Sequence, residues 1–136
     1  MFHPISQFVT LAVSGLIATM IGGLILIDPV AFHVSAGIDV GSQTALTNEL
    51  KAAGSVVLMT GILALTAIAL ERLRATALAV SALVYGSYGF GRVLSFLVDG
   101  IPNTAVISIA VLELVIAAAC IVVVSRYSLR ARPAST

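Results

Sequence analysis

Four apolar runs, each about long enough to cross a lipid bilayer, constrain this chain more than any other feature. A helix needs roughly 20 mostly apolar residues to span roughly 30 Å of hydrocarbon. The runs occupy about residues 5–27, 47–70, 75–98 and 104–125. The first closes at Asp28-Pro29, because the residue before a proline is pushed out of the helical region. With 60% hydrophobic and 10% charged residues, the 136-residue chain has too little polar surface to cover a water-soluble domain. Disorder needs the opposite composition. A net charge of +1 supplies no basic field for nucleic acid. The expectation is one all-α domain over residues 1–136, a polytopic membrane protein.

Residues 28–46 form the one long connection, rich in Asp, Gly, Ser and Thr. Ser42 is a candidate cap for an early start to the second helix, which draws Asn48 and Glu49 into the span. Glu71-Arg72-Leu73-Arg74 and Asp99-Gly100-Ile101-Pro102-Asn103 read as tight turns. Short connections make neighbours antiparallel, giving an antiparallel four-helix transmembrane bundle. Arg72 and Arg74 follow the second span, and Arg126, Arg130 and Arg132 follow the fourth. The first and third connections carry Asp28, Asp39 and Asp99 and no arginine. By the positive-inside rule, both termini are cytoplasmic. The Val34-Ser35-Ala36 stretch has the small residues of a signal-peptide cleavage site. The preceding run, however, is longer than a signal peptide's apolar region and lacks a basic start. The polar tail 128–136 reads as mobile.

Ionisable residues inside a span are costly and face a bundle interior or an aqueous cavity. On the third span Ser81, Tyr85, Tyr88, Arg92, Ser95 and Asp99 are separated by 4, 3, 4, 3 and 4 residues, which keeps them on one stripe. Glu113 lies inside the fourth span. If the last two helices fold back about Ile101, Glu113 sits roughly 4.5 Å deeper than Arg92. Helical side chains lean toward their own N-terminus. On oppositely running helices Arg92 and Glu113 therefore lean toward each other, and an Arg92–Glu113 ion pair within the membrane is expected. Glu49 and Lys51, with Asn48 beside them, enter the same outer half from the second span. The expected binding set is Asn48, Glu49, Lys51, Tyr85, Tyr88, Arg92, Ser95, Asp99 and Glu113, at a pocket open on one side. The bland reading is that buried charge pairs orient helices without any ligand. Asp99 also suits a turn with Gly100 and Pro102, and the two tyrosines suit core filling.

Gly15, Thr19 and Gly23 on the first span, Gly54 and Gly61 on the second, and Ser87 and Gly91 on the third are small-residue packing signals. His3 and His33 fall in different segments, so no metal site is expected. The single cysteine, Cys120, reads as a small buried hydrophobe. No phosphate-binding loop, nucleophile elbow or haem-attachment motif is present in the sequence, and no cofactor is expected.

Asn48-Glu49-Leu50-Lys51, Gly91-Arg92 with Ser95, Asp99-Gly100 with Pro102, and Glu113-Leu114 occur in an order and spacing that covers nearly the whole chain. Together they resemble a group of small bacterial four-helix membrane proteins catalogued only as a domain of unknown function. The group's usual form at the second helix reads Asn-Glu-Leu-Arg. Lys51 replaces that arginine, keeping the charge and losing the planar fork. The resemblance implies the four-helix topology, the bacterial cytoplasmic membrane and the set Glu49, Arg92, Asp99 and Glu113. It implies no reaction.

Three functions compete. The first, preferred here, is a non-catalytic accessory subunit or a binder of a lipid or lipophile. Its partners are the bilayer and either a lipophilic molecule, a membrane protein or a second copy of the chain. The second is a small proton-coupled transporter, since small multidrug exporters also have four spans and one membrane glutamate. Those carry the glutamate on the first helix, which here has no charge before Asp28, and Arg92 would hold Glu113 in a pair. The third is a membrane isomerase with Glu113 or Glu49 as acid or base.

Overall fold

The computed structural model describes residues 4–41 and 43–130, with side chains described for 5–41 and 43–126. The cap read at Ser42, His3, the side chain of Arg130, and Arg132 with the end of the tail lie outside that description. The described residues are helical apart from short turns and irregular connections, with no strand. Four long helices, α1 (Pro4–Ile27), α3 (Thr44–Ala69), α4 (Arg74–Val98) and α5 (Thr104–Arg130), are joined by the short α2 (Pro29–Ser35) and a 3₁₀ turn (Glu71–Leu73). Each of the four is long and apolar enough to cross a membrane, which makes this a membrane protein by length and composition.

The Asp28-Pro29 step does two jobs. It ends α1, as expected, and it also begins another helix. Asp28 leaves the helical region (φ −145°, ψ 89°), and its carboxylate accepts from Ala31 N at 2.9 Å. Pro29 fills the first helical position, where a missing N–H costs nothing. The connection 28–46 is therefore not an open loop: α2 occupies its first half. α3 starts at Thr44, which places Asn48 and Glu49 within the helix, and α5 runs past Ser125 to Arg130. At the second turn, Arg74 donates to the carbonyls of Ala67 (3.4 Å) and Ile68 (3.2 Å) and pairs with Glu71 (3.3 Å). A cation thus satisfies the bare carbonyls at the end of α3.

The interior is rich in small residues. Leu11, Ser14, Ala18, Ala64, Ala67, Ala77, Leu78, Ser81, Ala117 and Cys120 are buried. Large apolar side chains such as Leu16, Met20, Met59, Leu83, Phe90, Val115 and Ile121 are exposed. Water would drive the reverse arrangement; in lipid, small residues let helices approach while bulky ones meet acyl chains. α1 packs chiefly on α3 and α4 chiefly on α5. Between α1 and α3 the contact is through glycines. A Cβ at Gly61 would meet Thr19 and lie 2.8 Å from the Gly15 carbonyl; one at Gly22 would meet Leu58 N and lie 2.8 Å from the Gly54 carbonyl. Gly22, rather than the expected Gly23, completes the α1 seam, and Gly23 and Gly91 face open space. Ser87 is exposed. The seam repeats every seven residues, Gly15 to Gly22 and Gly54 to Gly61, which is the coiled-coil period.

Candidate functional site

The packed interior does not extend through the whole molecule. At the end that carries α2 and the α4–α5 connection, the helices enclose a cavity of about 170 Å³. Ile17, Ile21 and Ile25 of α1, Leu50, Ala53 and Val57 of α3, Val84 of α4, and Ile109 and Leu112 of α5 form most of its wall. On α3 the lining residues recur at intervals of three and four, one helical face. Five polar side chains join them from α4, α5 and α2: Tyr85, Tyr88, Arg92, Glu113 and His33.

Arg92 Nε donates to Glu113 Oε2 at 3.0 Å, and both side chains are largely withdrawn from solvent, at 29% and 13% relative exposure. A charge-assisted bond of this length in apolar surroundings fixes the rotation of α4 against α5. The Tyr85 hydroxyl donates to the Ser14 carbonyl at 2.7 Å, tying α4 to α1 where the cavity meets the packed core. The sequence left this tyrosine between core filler and pocket lining; the structure gives it both positions. His33 Nδ1 lies 2.6 Å from the Pro29 carbonyl. A carbonyl only accepts, so Nδ1 carries the proton and Nε2 of the neutral ring is the acceptor. Phe32 stands edge-on to this ring, with centroids 5.4 Å apart.

Of the nine residues read from sequence, Tyr85, Tyr88, Arg92 and Glu113 line the cavity. Asn48 and Glu49 are exposed, because the inward face of α3 is that of Leu50, Ala53 and Val57. Lys51 is half-buried, outside the lining, and its carbonyl accepts from Ser55. Ser95 and Asp99 hydrogen-bond each other at 2.8 Å on the exposed last turn of α4. Among the described residues no ion pair joins Glu49, Lys51 or Asp99 to Arg92 or Glu113. Sequence reasoning missed the aliphatic wall as well as His33 and Phe32. The signal for His33 and Phe32 was Asp28-Pro29 read as a beginning as well as an end. No group of three or more metal-ligating side chains occurs among the described residues.

Asn103 holds the roof. Its Oδ1 accepts from Val106 N (3.1 Å), capping α5, while Nδ2 donates to the Ala36 carbonyl (3.0 Å) just after α2. One side chain thus links the α1–α2 side of the molecule to the α4–α5 side.

Four membrane-length helices around a mostly apolar cavity bordered by a partly buried charge pair define a small helical membrane protein. The chain belongs to the family described as Domain of unknown function (DUF4345), whose model matches residues 6–124. No curated protein and no solved structure matches it.

Proposed function

We propose that this protein is a non-catalytic binder of a lipophilic molecule, held in the cavity beside Arg92 and Glu113. The carrying observation is the cavity itself: about 170 Å³, walled by aliphatic side chains and furnished with a few convergent polar groups. That combination is the usual composition of a small-molecule site. The other end of the molecule is filled by Leu11, Ala64, Ala67, Ala77, Leu78 and Cys120, which favours entry from one end over conduction through the molecule.

In this reading the helices form an antiparallel bundle. The glycine register supports it, since moving from Gly15 to Gly22 on α1 moves from Gly61 to Gly54 on α3. The arginines of the second connection and the C-terminal region put both termini in the cytoplasm of a bacterial cell. The cavity then sits in the outer half of the bilayer, and Arg92–Glu113 is an intramembrane pair.

Native mass spectrometry of protein released gently from its own membranes tests the reading. A retained small molecule is expected on the natural chain and not on Ala53→Phe, which fills the cavity. A retained protein partner with no small molecule would instead make the chain an accessory subunit. Equal small-molecule retention by both forms would place the ligand elsewhere and end the proposal.

A further inference from the structure

The polar groups in the cavity are only partly used by the protein. The salt bridge engages Arg92 Nε and Glu113 Oε2, leaving the terminal guanidinium nitrogens and Glu113 Oε1 without a hydrogen-bond partner among the described residues. The Tyr88 hydroxyl likewise has no partner there, and His33 is engaged only through Nδ1. The site therefore presents N–H donors from Arg92 beside free acceptors on Glu113 and His33. Its two formal charges cancel. A charged headgroup would bring an uncompensated charge into an apolar enclosure, at a large desolvation penalty. A purely hydrocarbon guest would leave the free donors and acceptors dry and unpaired. Volume sets the remaining limit, since a cavity of about 150 Å³ holds a single benzene-sized ring.

Resting on the binding reading above and narrowing it, we infer that the site takes an uncharged, ring-sized lipophile bearing both a hydroxyl and a carbonyl-type oxygen. The carbonyl accepts from Arg92, with the Tyr88 hydroxyl as a second donor. The hydroxyl donates to Glu113 Oε1 or His33 Nε2, and the ring lies against the aliphatic wall.

Three probes of similar size separate the possibilities by calorimetric titration in lipid nanodiscs, with empty nanodiscs as reference. They are 4-hydroxyacetophenone, ethylbenzene and the 4-hydroxybenzoate anion, at a pH where the phenol is neutral. Saturable binding of 4-hydroxyacetophenone is expected, about tenfold tighter than ethylbenzene, as one net hydrogen bond allows. The anion should show no saturable binding. Tyr88→Phe, which removes only the hydroxyl, and His33→Phe, which removes the ring nitrogens, should each narrow the preference for 4-hydroxyacetophenone over ethylbenzene several-fold. Equal affinity for ethylbenzene, tighter binding of the anion, or an undiminished preference in both variants would overturn the inference and leave the binding reading standing. Absence of saturable binding by all three probes, in protein whose circular dichroism is helical, would overturn both.

Discussion

At the residue scale the Arg92–Glu113 contact is the most consequential, because neither partner has a substitute among the described residues. Glu113→Gln leaves a guanidinium in an apolar enclosure with a weaker, neutral acceptor. A loss of about 1–3 kcal/mol follows for a hydrogen bond to a charged group. The double variant Arg92→Gln with Glu113→Gln removes both charges, and roughly half or more of that loss should be recovered. Thermal unfolding in detergent, run on the two single variants and the double, measures the coupling. A double variant no more stable than either single would deny that the pair is energetically coupled.

The elements are set by steric fit more than by charge. Adding a methyl at Gly22 would bring Cβ to 2.7 Å from Leu58 Cα and 2.8 Å from the Gly54 carbonyl, both backbone, so α1 and α3 must separate. Gly22→Ala should cost about 1–3 kcal/mol, in the range of overpacked cores. Gly23→Ala meets nothing within 4 Å and gains helix propensity, so it should be neutral or stabilising. Melting temperatures of the two neighbouring variants decide the point, and similar values would dissolve the seam. Asn103→Ala removes a helix cap, worth about 1 kcal/mol, and the tie to the Ala36 carbonyl. Faster amide exchange across residues 29–37, with α3 unchanged, is the expected signature. Unaltered exchange there would mean that Asn103 does not hold the roof.

For the whole molecule, surface and interior together argue for lipid as the solvent: many bulky apolar residues face outward over a core rich in alanine, serine and glycine. The proposed orientation makes a direct prediction. Asp39 and Arg72 are both exposed, and Cys120 is buried, so a thiol introduced at either position is the reactive one. An impermeant maleimide should label Asp39→Cys in intact cells and Arg72→Cys only after permeabilisation. The reverse pattern would invert the topology and place the cavity in the inner half.

The helical class and the four long spans were legible in the sequence because they depend on local quantities: hydropathy summed over about 20 residues, and Pro and Gly at the breaks. The approach of Arg92 to Glu113 was legible for the same reason, since it follows from a short turn, the rise per residue and the lean of helical side chains. Asn48, Glu49 and Lys51 show where that logic stops. Their depth along the chain is local, but whether they face the interior depends on how α3 is rotated. The opposed glycines of α1 and α3 set that rotation, turning Leu50, Ala53 and Val57 inward. Likewise Gly22 and Gly23 have the same chemistry in the sequence, and only packing distinguishes them. His33 enters the site because α2 folds back over the cavity and Asn103, 67 residues beyond Ala36, fastens that turn in place. Periodicity could assign residues to helices and stripes; which stripes meet, and what space remains between them, was decided by tertiary contact.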